Sequence, residues 1–139
     1  MITAVDTNVL LDVFSADQVH GSASRRSVRD CLRDGSLVAC DVVWAEIAGA
    51  FPSSGAAERA MERLGVAHRS MDAAAALLAG DSFRRYRQRG GRRERVVADF
   101  LVGAHATAQA DRLLTRDRGF YRSYFAGLLI VDPQHTHRP

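Results

Sequence analysis

AVDTNVLLDV, at residues 4–13, places an acidic side chain, Asp6, directly after an apolar run that starts at Ile2. The run Ile2–Val5 predicts a short buried strand, and Asn8 to Phe14 predicts a short helix. A strand that leads directly into a helix is typical of α/β folds. Because open parallel sheets bind ligands outside the carboxyl ends of their strands, Asp6 is the first candidate for a functional residue.

The rest of the chain alternates between short apolar runs and segments with helical spacing. Further strands are predicted at Leu37–Cys40, Leu113–Thr115 and Leu128–Val131. Helices are predicted at Ser22–Arg33, Val42–Phe51, Ser54–Leu64, Met71–Arg89 and Val96–Ala110, with Asp41 as a helix cap and Gly65 as a stop. Short buried strands alternating with helices predict an α/β fold in which helices flank a short parallel sheet.

Length and composition predict one globular domain. The chain has 139 residues, 47% of them hydrophobic, and this length suits a single domain. No apolar stretch approaches the roughly 18 residues that a membrane helix needs, and the N-terminus lacks the pattern of a signal peptide. We therefore expect a soluble, cytoplasmic protein in which Cys31 and Cys40 are reduced.

The charge pattern points to a polyanionic partner and excludes some enzyme classes. All nineteen basic residues are arginines, so the Lys of a Walker A loop is absent, as is the Lys that receiver domains and haloacid-dehalogenase-like phosphatases normally use. The net charge is +3, yet residues 84–95 alone hold seven Arg and one Glu. This concentration of positive charge favours contact with a polyanion.

Four acidic residues are predicted to meet at one end of the sheet. Asp6 and Asp117 follow predicted strands, Asp99 lies in the first turn of a helix, and Glu46 lies about one turn into another. Two such charges about 4 Å apart repel by about 4 kcal/mol at an effective dielectric near 20, so a cluster must share protons or bind cations. Oxygen ligands favour Mg²⁺ or Mn²⁺, which can activate a water to attack a phosphate in line.

Four motifs, in order along nearly the whole chain, resemble the PIN-domain family, in particular the toxins of VapBC-type toxin–antitoxin pairs. They are VDTNVLLDV at 5–13, VVWAEIAGAF at 42–51, VADFLVGAHA at 97–106, and LLTRDRGFY at 113–121 with IVDP at 130–133. The resemblance implies a three-layer sandwich, a short parallel sheet flanked by helices, over residues 1–133, with a polar C-terminal tail at 134–139. It also implies an endoribonuclease that leaves a 5′-phosphate and a 3′-hydroxyl.

The resemblance assigns roles to individual residues and implies partners. Asp6, Glu46, Asp99 and Asp117 correspond to the acids that hold Mg²⁺ or Mn²⁺. Asn8 and Thr115 correspond to polar positions that steady the acids or the metal-bound water. Some relatives carry one more Asp after the last motif acid, but Gly119 and Phe120 follow Arg118 here, so the number of ions stays open. A VapB-type antitoxin and a homodimer are implied as partners.

Other side chains receive weaker assignments. Arginines that could contact RNA phosphate are Arg92, Arg93, Arg116 and Arg118, the last two flanking Asp117 and also suited to ion pairs with acids. Asp12 fits the opening motif but is expected to face away from the site. His105 is expected to be structural, and His135 with His137 to lie in the tail. Tyr121 is expected to pack in the core or a dimer contact.

Two other function classes remain compatible with the sequence. One is a non-catalytic PIN-fold module that binds RNA or protein, against which the complete set of four acids argues, because a polyanion binder would gain by losing them. The other is a housekeeping RNA-processing or DNA nuclease. The RNA target stays open among transfer, ribosomal and messenger RNA, with exposed single-stranded loops preferred.

Overall fold

A parallel sheet forms the centre of the computed structural model, which describes residues 1–91 and 95–135. Its strands are β1 (Ile2–Val5), β2 (Ser36–Ala39), β3 (Val66–His68), β4 (Arg112–Leu114) and β5 (Ile130–Val131). They are ordered β3-β2-β1-β4-β5, and every adjacent pair is parallel. The predicted α/β class is confirmed.

Helices cover both faces of the sheet and complete a three-layer fold, as predicted. Within the described residues they are α1 (Thr7–Phe14), α2 (Gly21–Asp34), α3 (Asp41–Ala50), α4 (Ser54–Leu64), α5 (Ala73–Gln88), α6 (Val97–Gln109) and α7 (Arg118–Tyr124), followed by a 3₁₀ turn at Pro133–His135. None of these helices is long and apolar enough to cross a membrane.

The strand order creates a crevice at the carboxyl ends of β1 and β4. The chain moves outwards from β1 to β2 and β3, then returns to form β4 on the other side of β1. Val5 pairs with Leu114 in register, so the residues that follow these two positions leave the sheet side by side. Such a switch in strand order is where open α/β sheets bind ligands.

An aromatic cluster fixes the helices beside this crevice. Phe100 of α6 is fully buried, and its ring lies 5.1 Å from that of Phe120 of α7 and 5.3 Å from that of Phe83 of α5. Aromatic pairs in tilted and edge-to-face geometry add stability beyond the apolar area they bury. The cluster therefore holds the start of α6, which carries Asp99, against α7.

Most predicted elements agree with the structure to within one or two residues, but two elements were missed. The sequence analysis assigned no strand to Val66–His68 and no helix to Arg118–Tyr124. β3 is a three-residue edge strand in which only Val66 is buried, so it has no apolar pattern to detect. α7 has only seven residues, fewer than periodicity can identify.

The predicted capping role of Asp41 is wrong. Asp41 is the first residue of α3, and Cys40 occupies the cap position without a side-chain hydrogen bond. The Asp41 carboxylate instead contacts the His68 ring across the ends of β2 and β3, and the backbone N–H of Met71 also donates to it. This contact with His68 is the main reason that the pKa of Asp41 lies below its ordinary value.

Gly103 of α6 is required for the close approach of Phe125. A Cβ at position 103 would lie well inside van der Waals contact with the Phe125 ring, whereas a Cβ at Gly80 of α5 would meet open space.

We expect Gly103→Ala to lower the free energy of unfolding by about 1–3 kcal/mol through overpacking. Gly80→Ala, the control, should raise it by up to about 1 kcal/mol through helix propensity. Urea denaturation measures both, and stabilisation by both substitutions would contradict this packing.

Candidate active site

Asp6 is held at the carboxyl end of β1 by a set of hydrogen-bond donors. Its Oδ1 accepts from the backbone N–H of Thr7 at 2.8 Å, which caps α1. Its Oδ2 accepts from Thr115 Oγ1 at 2.8 Å and from the Tyr121 hydroxyl at 3.1 Å, and Asn8 Nδ2 lies 3.4 Å away. The carboxylate is thus buried but oriented by residues from α1, α7 and the turn after β4.

The electrostatics of Asp6 reflect both burial and a neighbouring acid. Burial raises the pKa of Asp6 most strongly, hydrogen bonds from Thr115, Thr7 and Tyr121 lower it, and the charge of Asp117 raises it further, with a net increase. Burial and the Asp6 charge likewise raise the pKa of Tyr121. Tyr121, expected to be a packing residue, is therefore a neutral donor to the site.

Thr115 joins Asp6 to Asp117. The Thr115 hydroxyl donates to Asp6 and accepts from the backbone N–H of Asp117 at 3.0 Å. Asn8 supports the same turn, because its Oδ1 accepts from the backbone N–H of Arg116 at 3.2 Å. Asn8 and Thr115 thus both contact groups in this crevice, at the positions where supporting residues were predicted.

Arg95 joins Asp117 to Asp99. Its guanidinium is bidentate on Asp117, with Nη1 2.6 Å from Oδ2 and Nη2 3.2 Å from Oδ1, and Nη1 lies 4.0 Å from Asp99 Oδ1. It also lies 4.3 Å from the centre of the Phe120 ring. The sequence analysis did not single out Arg95, although its spacing of four residues from Asp99 is a signal for an ion pair on a helical turn.

Thr7 links Glu46 to Asp6. Its Oε1 accepts from the Thr7 hydroxyl at 2.7 Å, while the Thr7 backbone N–H donates to Asp6. Thr7 was not predicted as a site residue. The structure therefore places all four predicted acids in one network, in which each is linked to the next by a single intervening residue.

The acids in their present positions do not form a ready metal cage. In the part of the chain that the structure describes, no three His, Cys, Asp or Glu side chains are placed to hold a metal ion. The chemistry of these acids nevertheless suits a hard cation, because carboxylate oxygens are the donors that such ions prefer and Asp117 already binds one cationic group, the Arg95 guanidinium. The residue types at this site are therefore compatible with a divalent ion, while Arg95 engages both oxygens of Asp117 in this structure.

Arg116 and Arg118 contact acids outside the network. Arg116 is bidentate on the buried Asp12, at 2.7 and 3.1 Å, and Ser24 Oγ donates to the same carboxylate at 2.7 Å. Arg118 Nε lies 3.9 Å from an Asp132 carboxylate oxygen. Contact of either arginine with RNA remains a prediction, and Arg92 and Arg93 lie outside the described residues.

The sequence analysis also named three histidines, His105, His135 and His137. His105 is buried within α6, where burial lowers its pKa, as suits the structural role expected for it. The backbone of His135 belongs to the 3₁₀ turn, and Gln134 of the same turn makes a 3.1 Å contact with the His20 ring. His137 lies outside the described residues, so the proposed tail at 134–139 stays a prediction.

Comparison with known proteins places this geometry among related folds. The family model described as PIN domain matches residues 3–126. The structure of VapBC2 from Rickettsia felis, bound to a promoter DNA fragment, includes a similar chain with TM-score 0.73 and 16% identity, covering 95% of this chain and 98% of that one. VapBC-1 from nontypeable Haemophilus influenzae gives TM-score 0.73 and 17% identity over 96% and 99%.

A further structural relative comes from another genus. FitAcB from Neisseria gonorrhoeae contains a chain similar to this one with TM-score 0.66 and 19% identity, covering 98% of this chain and 100% of that one. No curated protein sequence matches the chain. At these identities, the solved structures establish a likeness of fold.

The Asp12–Arg116 pair is expected to support the turn that carries Thr115 and Asp117. Asp12→Asn should lower the free energy of unfolding by about 1–3 kcal/mol, because a buried charged hydrogen-bond partner of Arg116 is removed. Asp30→Asn is the control, since Asp30 forms an exposed pair with Arg33 on α2 and should change stability by no more than about 0.5 kcal/mol. Urea denaturation compares the two, and equal effects would contradict a stabilising role for the buried pair.

Proposed function

Because the chain belongs to the PIN-domain family, we propose that it is a divalent-metal-dependent endoribonuclease that acts as the toxin of a toxin–antitoxin pair. The observation that carries this proposal is the network joining Asp6, Glu46, Asp99 and Asp117 at the carboxyl ends of β1 and β4. Acids gathered around a cation at such a crevice suit phosphodiester hydrolysis.

Asp6, Asp99 and Asp117, with Glu46 at the edge, are the residues that would hold Mg²⁺ or Mn²⁺. The chemistry that such an ion supplies when bound is a more acidic water and neutralisation of charge on the phosphate. Several carboxylates close together are the donors that hard divalent ions prefer. This assignment agrees with the roles that the resemblance implied for these four positions.

Neighbouring residues orient the acids. Thr115 and Tyr121 donate hydrogen bonds to the same oxygen of Asp6 and so restrict its rotation. Asn8 contacts both Asp6 and the backbone of the turn that leads to Asp117. Preorganised ligands of this kind keep a functional geometry that flexible side chains would lose.

Charge distribution supports RNA as the substrate. Four arginines lie in the last turns of α5 and just beyond it, close to the start of α6; they are Arg84, Arg85, Arg87 and Arg89. Arg87 stacks on the Phe83 ring and Arg89 on the Tyr124 ring, which presents guanidinium groups beside aromatic rings. Arginine neutralises phosphates, so these exposed guanidinium groups suit the backbone of RNA, and exposed single-stranded loops are the substrate that we prefer.

Structural relatives support a protein partner. The similar chains come from VapBC structures, two of them bound to DNA. We extend this arrangement to the present chain as a VapB-type antitoxin that covers the crevice. A short reading frame beside the gene, encoding a small DNA-binding protein, would distinguish a toxin from a housekeeping nuclease.

One observation favours a second candidate, a non-catalytic PIN-fold module that binds RNA or protein. Arg95 already neutralises Asp117, so the acid network has an internal counter-ion. A PIN-fold protein that no longer bound metal could keep these acids, because the arginine would balance their charge. Measurement of cleavage separates this candidate from the nuclease.

Cleavage of total cellular RNA tests the proposed function. With Mg²⁺ or Mn²⁺ we expect discrete cuts that EDTA abolishes, ending in 5′-phosphate and 3′-hydroxyl groups. Asp99→Asn should slow cleavage by about 100-fold or more, because a ligand charge is lost. Asp30→Asn, an exposed substitution on α2, should cleave like the parent chain. RNA that stays bound and uncut by both parent and variant would instead support the binding module.

The free protein is expected to form a symmetric dimer. Closed two-fold assemblies are the commonest homo-oligomers, and the family resemblance implies one here. Size-exclusion chromatography with light scattering at micromolar concentration should give twice the 15.2 kDa chain mass. A single-chain mass at that concentration would count against the dimer without affecting the proposed chemistry.

A further inference from the structure

Arg95 occupies the position of a cation within the acid network. It contacts both carboxylate oxygens of Asp117 and lies within ion-pair distance of Asp99. The remaining oxygen of Asp99, Oδ2, accepts from the backbone N–H of Val96 at 3.0 Å. Neither Asp117 nor Asp99 therefore presents a pair of unengaged oxygens to an incoming ion.

Arg95 packs against an aromatic ring but remains partly exposed to solvent. Its guanidinium packs on the Phe120 ring, and about one third of its side chain, 32%, is exposed. Arg95 also lines a groove of about 470 Å³ between α5 and the start of α6, together with Phe83, Arg87 and Val96. The guanidinium is thus partly open to solvent and borders a groove, so the buried core does not enclose it.

We propose that Arg95 is a built-in counter-ion that competes with the divalent ion for Asp117, so that metal binding requires Arg95 to leave the acid network. This inference rests on the proposed function, since it concerns the same four acids. It assigns Arg95 the role of a positioning residue that sets how tightly the free protein binds metal.

The physical basis is competition between two cations for one carboxylate. A bidentate pair between arginine and a carboxylate is among the stronger charged interactions, and an ion that needs the same oxygens binds only the fraction of molecules in which that pair is open. The measured dissociation constant is raised by the inverse of that fraction. Without Arg95, Asp117 and Asp99 would instead face Asp6 with unbalanced negative charge, which weakens the metal-free fold.

Mn²⁺ binding in the absence of RNA tests this competition. Isothermal titration calorimetry should show Arg95→Gln binding Mn²⁺ about tenfold or more tightly than the parent chain. Arg95→Lys, which keeps the charge but loses the planar fork, should fall between the two. Arg33→Gln is the control, because Arg33 also pairs with an aspartate, Asp30, but on the exposed face of α2, and its affinity for Mn²⁺ should equal that of the parent.

Thermal unfolding supplies a second readout that does not depend on calorimetry. In EDTA, Arg95→Gln should unfold at a lower temperature than the parent, and Mn²⁺ should raise its unfolding temperature by more than it raises that of the parent. Arg33→Gln should match the parent in both conditions, because an exposed ion pair contributes little to stability. This pattern is specific to a counter-ion, since loss of an ordinary packing residue would not increase the response to Mn²⁺.

Two results would overturn the inference, and they have different meanings. Equal or weaker Mn²⁺ binding by Arg95→Gln, with a parent chain that cleaves RNA, would refute the counter-ion role and leave the nuclease intact. Absence of Mn²⁺ binding by the parent and by both Arg95 variants, even at millimolar concentration, would refute the metal site and the proposed function together. Asp117→Asn, which should bind Mn²⁺ weakly in every case, identifies the carboxylate involved.

Discussion

A buried carboxylate, that of Asp6, is the constraint on which the rest of the crevice depends. Removing a charged group from water is costly unless hydrogen bonds or an opposite charge compensate. Here the compensation comes from Thr7, Thr115, Tyr121 and Asn8, which lie on different parts of the chain. To satisfy one side chain, the protein must bring the end of β1, the turn after β4 and α7 together, and that convergence forms the site.

Arginines lie both inside the crevice, where they pair with acids, and on the surface at the end of α5. Inside the crevice, Arg95 lies between Asp117 and Asp99, while Arg116 neutralises the buried Asp12 behind it. At the surface, arginines cluster at the end of α5, where the proposed function expects contact with RNA phosphate. The same residue type thus forms buried ion pairs in one place and an exposed basic surface in another, and its surroundings distinguish the two.

Packing determines how accurately these charges are placed. The aromatic cluster around Phe100 fixes the start of α6, and Phe125 presses against Gly103 where any larger residue would interfere. The structure shows that at Gly103 the close neighbour is the Phe125 ring, which follows α7.

Local sequence determined the α/β class, nearly all helices and four of the five strands, because apolar periodicity is a short-range signal. Acids at strand ends pointed to Asp6 and Asp117, and the motif resemblance completed the set with Glu46 and Asp99. Local sequence did not predict the edge strand β3, the helix α7 or the pairing of Asp41 with His68. Only the tertiary structure decided that Arg95 meets Asp117, since 22 residues separate them and the strand order brings them together. The sequence shows which residues are charged, and the fold determines which of these residues form ion pairs.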